Sequence, residues 1–342
     1  MKKNETIVDN SNLVPIQGLG VAIEVKNLYK NYYPIKSGEF AGLGRPAIGD
    51  KSNPVPLQGL GVSFEVNRGE IFGIIGPDGA GKTTLFRILT TLILANSGTA
   101  SVDGFDVVND YKEIRKRVGY MPGKFSLYQD LTVEENLNFF ATVFNTTIEE
   151  NYELIKDIYQ QIEPFKKRRA GKLSGGMKQK LALSCALIHK PSVLFLDEPT
   201  TGVDPVSRKE FWGMLKSLRE QGITILVSTP YMDEASLCDR IALIQNGQFL
   251  KIETPENIVA QYENKLWAVE SDNMHKLLID LRNNEMTKNC FAFGDKHHVS
   301  ISNEQMTIEN LKEYLMKENH TNIQILEIEP TVEDCFMQLS QK

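Results

Sequence analysis

A glycine-rich loop ending in lysine and threonine is the segment of this 342-residue chain with the clearest chemistry. Residues 76–83 read Gly-Pro-Asp-Gly-Ala-Gly-Lys-Thr and fit the phosphate-binding pattern G-x-x-x-x-G-K-[ST]. The glycines let backbone N–H groups turn toward phosphate oxygens, while Lys82 adds a point charge and Thr83 offers a hydroxyl to Mg²⁺. The apolar stretch Glu70–Ile75 precedes the loop and a helical pattern starts at about Lys82, which is the context this pattern requires.

Two adjacent carboxylates follow a second apolar stretch, Ser192–Leu196. Asp197 at the end of that predicted strand is suited to hold the shell of a magnesium ion. Glu198 beside it is suited to orient and deprotonate a water molecule. The pair therefore predicts metal-assisted hydrolysis of a nucleotide bound at the glycine-rich loop.

A third segment, residues 173–179, reads Leu-Ser-Gly-Gly-Met-Lys-Gln and begins a predicted helix. Ser174, Gly175 and Gly176 would leave free N–H groups at the positive end of the helix dipole, which makes a second anion site. Taken alone, the segment is only a helix start. One nucleotide has no obvious use for two such sites on one chain.

The elements around these residues predict a parallel sheet covered by helices, because apolar strands alternate with helical segments. A further apolar strand is predicted at Ile223–Ser228. Residues 124–190 are predicted to be mostly helical, and a capping-box pattern at Thr132–Glu135 opens the first helix. His189 ends a predicted helix, where a cation would suit the dipole.

Both ends of the chain differ from this pattern. Ala22–Leu28 and Val62–Val66 read as paired strands, and residues 11–25 recur almost unchanged at 52–66, which we interpret as a local duplication that lengthens a surface loop. Beyond about residue 258, strand-like and helical segments follow the order of a small ferredoxin-like domain. The segments are Leu266–Val269, Met274–Leu281, Cys290–Phe293, Val299–Ile301, Ile308–Met316 and Ile323–Ile328.

The composition of the chain argues against several classes of protein. A hydrophobic fraction of 41% and a charged fraction of 24% are typical of a soluble globular protein. A net charge of −6 argues against nucleic-acid binding through bulk charge. No apolar run approaches the ~18 residues of a membrane span, and the N-terminus lacks the apolar stretch of a signal peptide. Four widely spaced cysteines match no metal or disulfide pattern, so we expect a cytosolic chain with reduced thiols.

Together these motifs resemble the ATP-binding subunits of ABC transporters, over roughly residues 21–250 and in the same order. Within that class the chain most resembles the ABC-2 type, drug-export group of bacteria. The resemblance implies an α/β P-loop NTPase core of the ABC ATPase type, with an antiparallel β subdomain and a helical subdomain. It also implies a small C-terminal α+β (ferredoxin-like) domain. The predicted limits are a flexible N-terminus at 1–20, the ATPase domain at 21–257 with its helical subdomain at about 124–190, and the accessory domain at 258–342.

The resemblance also assigns roles. ATP and Mg²⁺ are the implied cofactors, with Glu198 as the catalytic base and with Thr83 and Asp197 at the metal. Ser174, Gly175, Gly176 and Met177 stand where the family has the signature that meets the nucleotide of the opposite subunit, and Asp204 lies in the segment that resembles the D-loop. The implied nucleotide contacts are Tyr32 (stacking on adenine), Gly76, Pro77, Asp78, Gly79, Ala80, Gly81, Lys82, Thr83 and Thr84.

Three positions depart from the family pattern. Gly123 stands where the family has a glutamine that touches the metal and the attacking water, and Pro230 replaces a histidine that bonds the γ-phosphate. Asp78 replaces the usual asparagine. Because Lys82 and the two carboxylates remain, we expect ATP binding to survive, while hydrolysis at this chain's own site could be slowed.

The implied partners are a second ATPase domain, as a homodimer or a heterodimer, and integral membrane permease subunits, with no nucleic acid. We therefore expect the chain at the cytoplasmic face of the membrane, coupling ATP hydrolysis to export. A soluble ABC ATPase acting on ribosomes or DNA is the alternative, disfavoured because one domain is present and the net charge is acidic. A regulatory module that binds but does not hydrolyse ATP is a third interpretation, prompted by Gly123 and Pro230.

Overall fold

The computed structural model describes residues 20–31, 60–301 and 306–341. The strands are β1 Val21–Lys30, β2 Leu60–Asn67, β3 Ile71–Ile75, β4 Ser97–Val102, β5 Phe105–Asp106, β6 Val118–Met121, β7 Val193–Asp197, β8 Thr224–Thr229, β9 Arg240–Gln245, β10 Gln248–Glu253, β11 Lys265–Glu270, β12 Thr287–Phe293, β13 Lys296–Ile301 and β14 Gln324–Glu327. The α-helices are α1 Lys82–Leu89, α2 Tyr111–Arg117, α3 Val133–Val143, α4 Tyr152–Tyr159, α5 Gly175–Leu187, α6 Pro205–Glu220, α7 Pro255–Ala260, α8 Met274–Asn283, α9 Ile308–Lys317 and α10 Val332–Leu339. Short 3₁₀ helices cover Glu163–Phe165, Ala170–Lys172 and Met232–Leu237.

The described chain divides into two compact units. One contains the described residues up to Pro230 together with Ile244–Phe249, and the other contains Tyr231–Leu243 and the described residues from Leu250 onward. The predicted domain limit at 257/258 falls inside α7. That limit, like the other predicted limits, remains a prediction.

The first unit begins with an antiparallel sheet in the order β2-β1-β4-β5. Strands β1 and β2 pair as predicted, with Val25 opposite Phe64, and alternate residues of β2 are buried as a half-buried strand requires. The described parts of the duplicated segments are therefore neighbouring strands, and Glu24 lies opposite Glu65, its counterpart in the other copy. The remaining repeated residues and the loop at 33–56 lie outside the described residues.

Parallel strands of the first unit lie in the order β3-β8-β7-β6 and carry the candidate site at their carboxyl ends. Every residue of β3, β7 and β8 is buried, which explains why these strands read as continuous apolar runs rather than alternating ones. Phe86 of α1 packs edge-on against Phe195 of β7, with ring centroids 6.0 Å apart. Helix α1 is thereby fixed against the strand that carries the carboxylates.

The segment between β6 and β7 is helical, as predicted, and contains α3, α4 and α5. The predicted capping box is present at the start of α3: Glu135 N–H donates to Thr132 Oγ1 and Thr132 N–H donates to the Glu135 carboxylate. Helix α5 packs against both α3 and α4. Its N-terminus is the Ser-Gly-Gly segment singled out in the sequence.

The second unit contains the predicted ferredoxin-like arrangement. Strands β12-β13-β11-β14 form an antiparallel sheet, and helices α8 and α9 join them in the β-α-β-β-α-β order. The sheet and these helices enclose a core that includes Trp267, Val269, Leu277, Leu281, Val299, Leu311 and Leu315. Within the described ranges, no helix is long and apolar enough to cross a membrane.

Candidate nucleotide-binding site

The glycine-rich loop connects β3 to α1 at the end of the parallel strands. Gly79 and Gly81 have φ values of 80° and 105°, which side chains rarely adopt, so the loop path requires glycine at both positions. At Gly76 an added Cβ would lie 2.1 Å from the carbonyl oxygen of Ile244, so the backbone passes too closely for a side chain. Gly81 precedes the first residue of α1, whose N–H groups therefore point toward the loop.

Lys82 is buried, with 3% of its side chain exposed, and its ammonium group meets three acceptors. It donates to the carbonyl oxygens of Gly76 at 2.8 Å and Pro77 at 3.0 Å. It also lies 3.1 Å from Glu198 Oε1. An ammonium has three N–H donors, so these three partners compensate the cost of burying the Lys82 charge. A phosphate oxygen could bind the same ammonium group.

Asp197 ends β7 and is buried at 2% exposure. Its Oδ1 accepts from Thr83 Oγ1 at 3.2 Å and from Ser228 Oγ at 2.7 Å. Glu198 follows with φ of 52°, and its N–H donates to both the carbonyl oxygen and the hydroxyl of Ser228, at 3.0 and 3.1 Å. The structure thus brings Lys82 and Thr83 of α1 together with the two carboxylates at the end of β7.

The donor set fits a magnesium ion. A carboxylate and a hydroxyl are the hard oxygen ligands that Mg²⁺ takes, and the ion completes its octahedron with phosphate oxygens and water. Asp197 and Thr83 already lie within hydrogen-bonding distance of each other. Within the described residues no cluster of three or more His, Cys, Asp or Glu side chains offers an all-protein metal site.

The Ser-Gly-Gly segment lies beside the predicted D-loop. Ser174 is the N-cap of α5, with its hydroxyl 3.4 Å from Met177 N. An added Cβ on Gly176 would lie 2.8 Å from Ser207 Oγ, on the first turn of α6. Asp204 is the N-cap of α6 and accepts from Ser207 N–H at 3.0 Å, and this bond lowers the pKa of the carboxyl group.

The positions that depart from the family pattern also lie at this end of the sheet. Gly123 is close to the carboxylates, because its added Cβ would lie 2.9 Å from the carbonyl oxygen of Asp197 and 3.7 Å from Glu198 Cβ. Pro230 directly follows β8, two residues after Ser228, while Asp78 is exposed on the loop. Tyr32 lies outside the described residues, so its contact with adenine remains a prediction.

Sequence reasoning missed two residues at this site and misread one elsewhere. Ser228 was assigned only to an apolar strand, although a hydroxyl at a strand end is a detectable signal. Burial and the Asp197 carboxylate raise the pKa of Tyr120 to about 12, so this phenol stays protonated beside the site. His189 is not the cation expected at a helix end: burial lowers its pKa to about 4, and its ring stacks on Phe144 with centroids 3.8 Å apart.

Comparisons with known proteins agree with this geometry. The sequence profile of the family described as "ABC transporter" matches residues 60–201. A probable multidrug ABC transporter ATP-binding protein of Escherichia coli is 44% identical over 201 residues, which cover 58% of this chain and 35% of that protein. The Nod factor export ATP-binding protein I of Burkholderia lata is 41% identical over 57% of this chain and 65% of its own length. The chain thus spans less than two thirds of these curated relatives.

Solved structures give the same fold. The ATP-binding subunit of an ABC transporter is 25% identical with a TM-score of 0.57, over 70% of this chain and 93% of that chain. An ATP-binding cassette in a dimeric, post-hydrolysis state with ADP and Pi is also 25% identical, with a TM-score of 0.56 over 68% of this chain and 98% of that chain. Both neighbours are P-loop NTPases of the ABC ATPase type, the fold class expected from the sequence.

Proposed function

Because residues 60–201 match the ABC transporter family, we propose that this chain is the ATP-hydrolysing subunit of an ABC-type exporter. The observation that carries the proposal is the convergence of Lys82, Thr83, Asp197 and Glu198 at the ends of two parallel strands. A cation for phosphate, a hydroxyl and carboxylate for Mg²⁺, and a carboxylate base are the parts that phosphoryl transfer to water requires.

ATP binds with its phosphates in the loop from Gly76 to Thr84. Backbone N–H groups of the loop and the N-terminus of α1 surround the phosphates, and Lys82 exchanges its contact with Glu198 for β/γ oxygens. Thr83 and Asp197 would hold Mg²⁺, which would neutralise charge on the phosphates. For Tyr32, which lies outside the described residues, we propose stacking on the adenine ring.

Glu198 orients and deprotonates the attacking water. Its backbone is fixed by two acceptors on Ser228, so release of the side chain from Lys82 redirects the carboxylate without moving the chain. Gly123 and Pro230 supply neither the amide nor the imidazole expected beside the γ-phosphate. A lost transition-state contact commonly costs about 10²–10³ in rate, so hydrolysis at this chain's own loop is slow rather than absent.

A second ATPase domain completes the active unit. Ser174, Gly175, Gly176 and Met177 contact the nucleotide held by the partner, with Asp204 beside them. ATP binding joins the two domains, hydrolysis separates them, and integral membrane permease subunits convert that cycle into export. The chain accordingly acts at the cytoplasmic face of the membrane. Relatives named for multidrug transport, Nod factor export and daunorubicin resistance favour a small-molecule cargo.

The test is the variant Lys82→Ala, compared with Lys116→Ala on the exposed surface of α2. Loss of the buried ammonium should abolish Mg-ATP binding, measured with a fluorescent ATP analogue, and should abolish ATPase activity. The Lys116→Ala protein should bind and hydrolyse as the parent does. Unchanged ATP affinity in Lys82→Ala would contradict the assignment of this loop as the phosphate-binding site.

A further inference from the structure

Ser228 carries a buried hydroxyl beside the Asp197 carboxylate and the backbone of Glu198. It is 0% exposed and lies on β8, next to the end of β7. Its Oγ donates to Asp197 Oδ1 at 2.7 Å and accepts from the Glu198 N–H at 3.1 Å. One side chain therefore contacts both residues that the proposed function assigns to the metal and to the base.

The two hydrogen bonds fix the orientation of the hydroxyl. A serine hydroxyl has one hydrogen and two lone pairs. Its hydrogen points to Asp197 Oδ1, since a carboxylate can only accept, and a lone pair points to the Glu198 N–H, which can only donate. The Asp197 carboxylate is thereby held in one rotation about its own bond, with Oδ1 engaged and Oδ2 left for other partners.

The same hydroxyl supports an uncommon backbone conformation. Glu198 has φ of 52°, a left-handed value that costs energy for a residue with a side chain. Its N–H is shared between the carbonyl oxygen and the hydroxyl of Ser228, at 3.0 and 3.1 Å. Ser228 thus stabilises the turn that directs Glu198 back toward Lys82.

We propose that Ser228 is a positioning residue for Mg²⁺-nucleotide: it orients Asp197 for the metal and holds the Glu198 backbone for catalysis. This inference rests on the proposed function. Gly123 and Pro230 make Ser228 more important, because neither residue has a side-chain donor that could orient groups at this site. Groups that orient a metal ligand typically affect metal affinity or activity by about 10- to 100-fold.

The test is Ser228→Ala, with Thr224→Ala as the matched control. Thr224 is also a buried hydroxyl residue of β8, 1% exposed, but its hydroxyl accepts from Gly69 N–H at the opposite end of the strand. The Mg²⁺ concentration for half-maximal binding of a fluorescent ATP analogue is measured for each protein, together with binding in EDTA and with kcat.

Ser228→Ala should raise the half-maximal Mg²⁺ concentration and lower kcat, each by about 10- to 100-fold, with binding in EDTA unchanged. Thr224→Ala should leave the Mg²⁺ requirement at the parent value. If Ser228→Ala does not fold, Ser228→Cys keeps the volume with a weaker donor and should show the same shift. A parent-like Mg²⁺ requirement in a folded Ser228 variant overturns the inference alone, whereas a parent that does not bind Mg-ATP overturns the proposed function with it.

Discussion

Among single residues, Gly123 lies against the backbone that carries the two carboxylates. The family places a glutamine at this position, but here an added Cβ would lie 2.9 Å from the carbonyl oxygen of Asp197. That distance is too short for a carbon atom, so the backbone must move to accept any side chain. Placing a glutamine at this position would therefore require the backbone to shift and would not simply restore a missing group.

We expect Gly123→Ala to lower the free energy of unfolding by about 1–3 kcal/mol, because the new methyl group is forced against a backbone oxygen. The control is Gly213→Ala in α6, where nothing lies within 4 Å of an added Cβ. That change should stabilise the protein by about 0.5–1 kcal/mol, since alanine is the better helix former. Urea denaturation measures both, and equal effects would contradict the close approach at Gly123.

His189 gives the protein a defined response to acid. Its folded-state pKa of about 4 lies below the ordinary value of 6.5, because burial disfavours the imidazolium form. Its contribution to stability is therefore complete above pH 6.5 and is lost as the pH falls toward 4.

We expect His189→Asn to flatten the dependence of melting temperature on pH in this window, at the cost of some stability at pH 7. His275→Asn on the exposed surface of α8 is the control and should leave that dependence as in the parent. A parent-like acid response in His189→Asn would show that other groups cause it.

Among the elements, helix α10 links three parts of the second unit through its packing and hydrogen bonds. This helix packs against α7 and against the 3₁₀ helix Met232–Leu237, which begins two residues after Pro230. Asp334, in the first turn of α10, accepts from the hydroxyl of the N-cap Thr331 and bonds His298 of β13, at 2.7 Å each. Ala235 and Cys238, in and after the 3₁₀ helix, are buried.

We propose that residues 258–342 are an accessory domain, and that the ATPase core still binds ATP when this domain is removed. A cut after residue 257 should leave ATP binding intact, because the loop and both carboxylates lie in the first unit. The melting temperature should fall, since α10 no longer covers the 3₁₀ helix. A shorter cut after residue 330 isolates the effect of α10. A core that no longer binds nucleotide would argue against this domain limit.

For the whole molecule, the departures at Gly123 and Pro230 raise the question of which partner this chain takes. Residues 174–176 keep the Ser-Gly-Gly sequence expected of the signature, whereas Gly123 and Pro230 lack the groups expected beside the chain's own nucleotide. In a heterodimer with a complete ATPase domain, one composite site would be slow and the other fast. We propose this asymmetric pairing over a homodimer whose two slow sites depend on Glu198.

Two variants in the assembled complex distinguish these assemblies. In the asymmetric complex Ser174→Arg should remove most ATPase activity, because a bulky cation enters the partner's fast site. Glu198→Gln should remove little activity there, since it affects only the slow site. The measurement is the steady-state ATPase rate of the complex carrying each variant. Equal losses of activity in the two variants would support two equivalent sites instead.

Short sequence patterns were enough to predict the local parts of this protein. The phosphate loop, the apolar strands before it and before Asp197, and the capping box at Thr132 follow from short patterns that do not depend on distant residues. The β-α-β-β-α-β order from β11 to β14 was also predicted from the sequence, whereas α7 and α10 of the same unit were not. Strands β4, β5, β6, β9 and β10 and helix α2 were not predicted either, because such short segments carry weak periodicity.

Which of these residues come into contact depends on the tertiary fold. Ser228 lies 31 positions after Asp197 in the sequence, and no local pattern links them. Parallel pairing of β7 with β8 brings them together, with Asp197 opposite Ser228 in the register. The neutral state of His189 and the lack of space at Gly123 are likewise consequences of burial, which arises when separate segments pack. Local chemistry can be read from residue order, whereas distances and protonation depend on neighbours that the fold supplies.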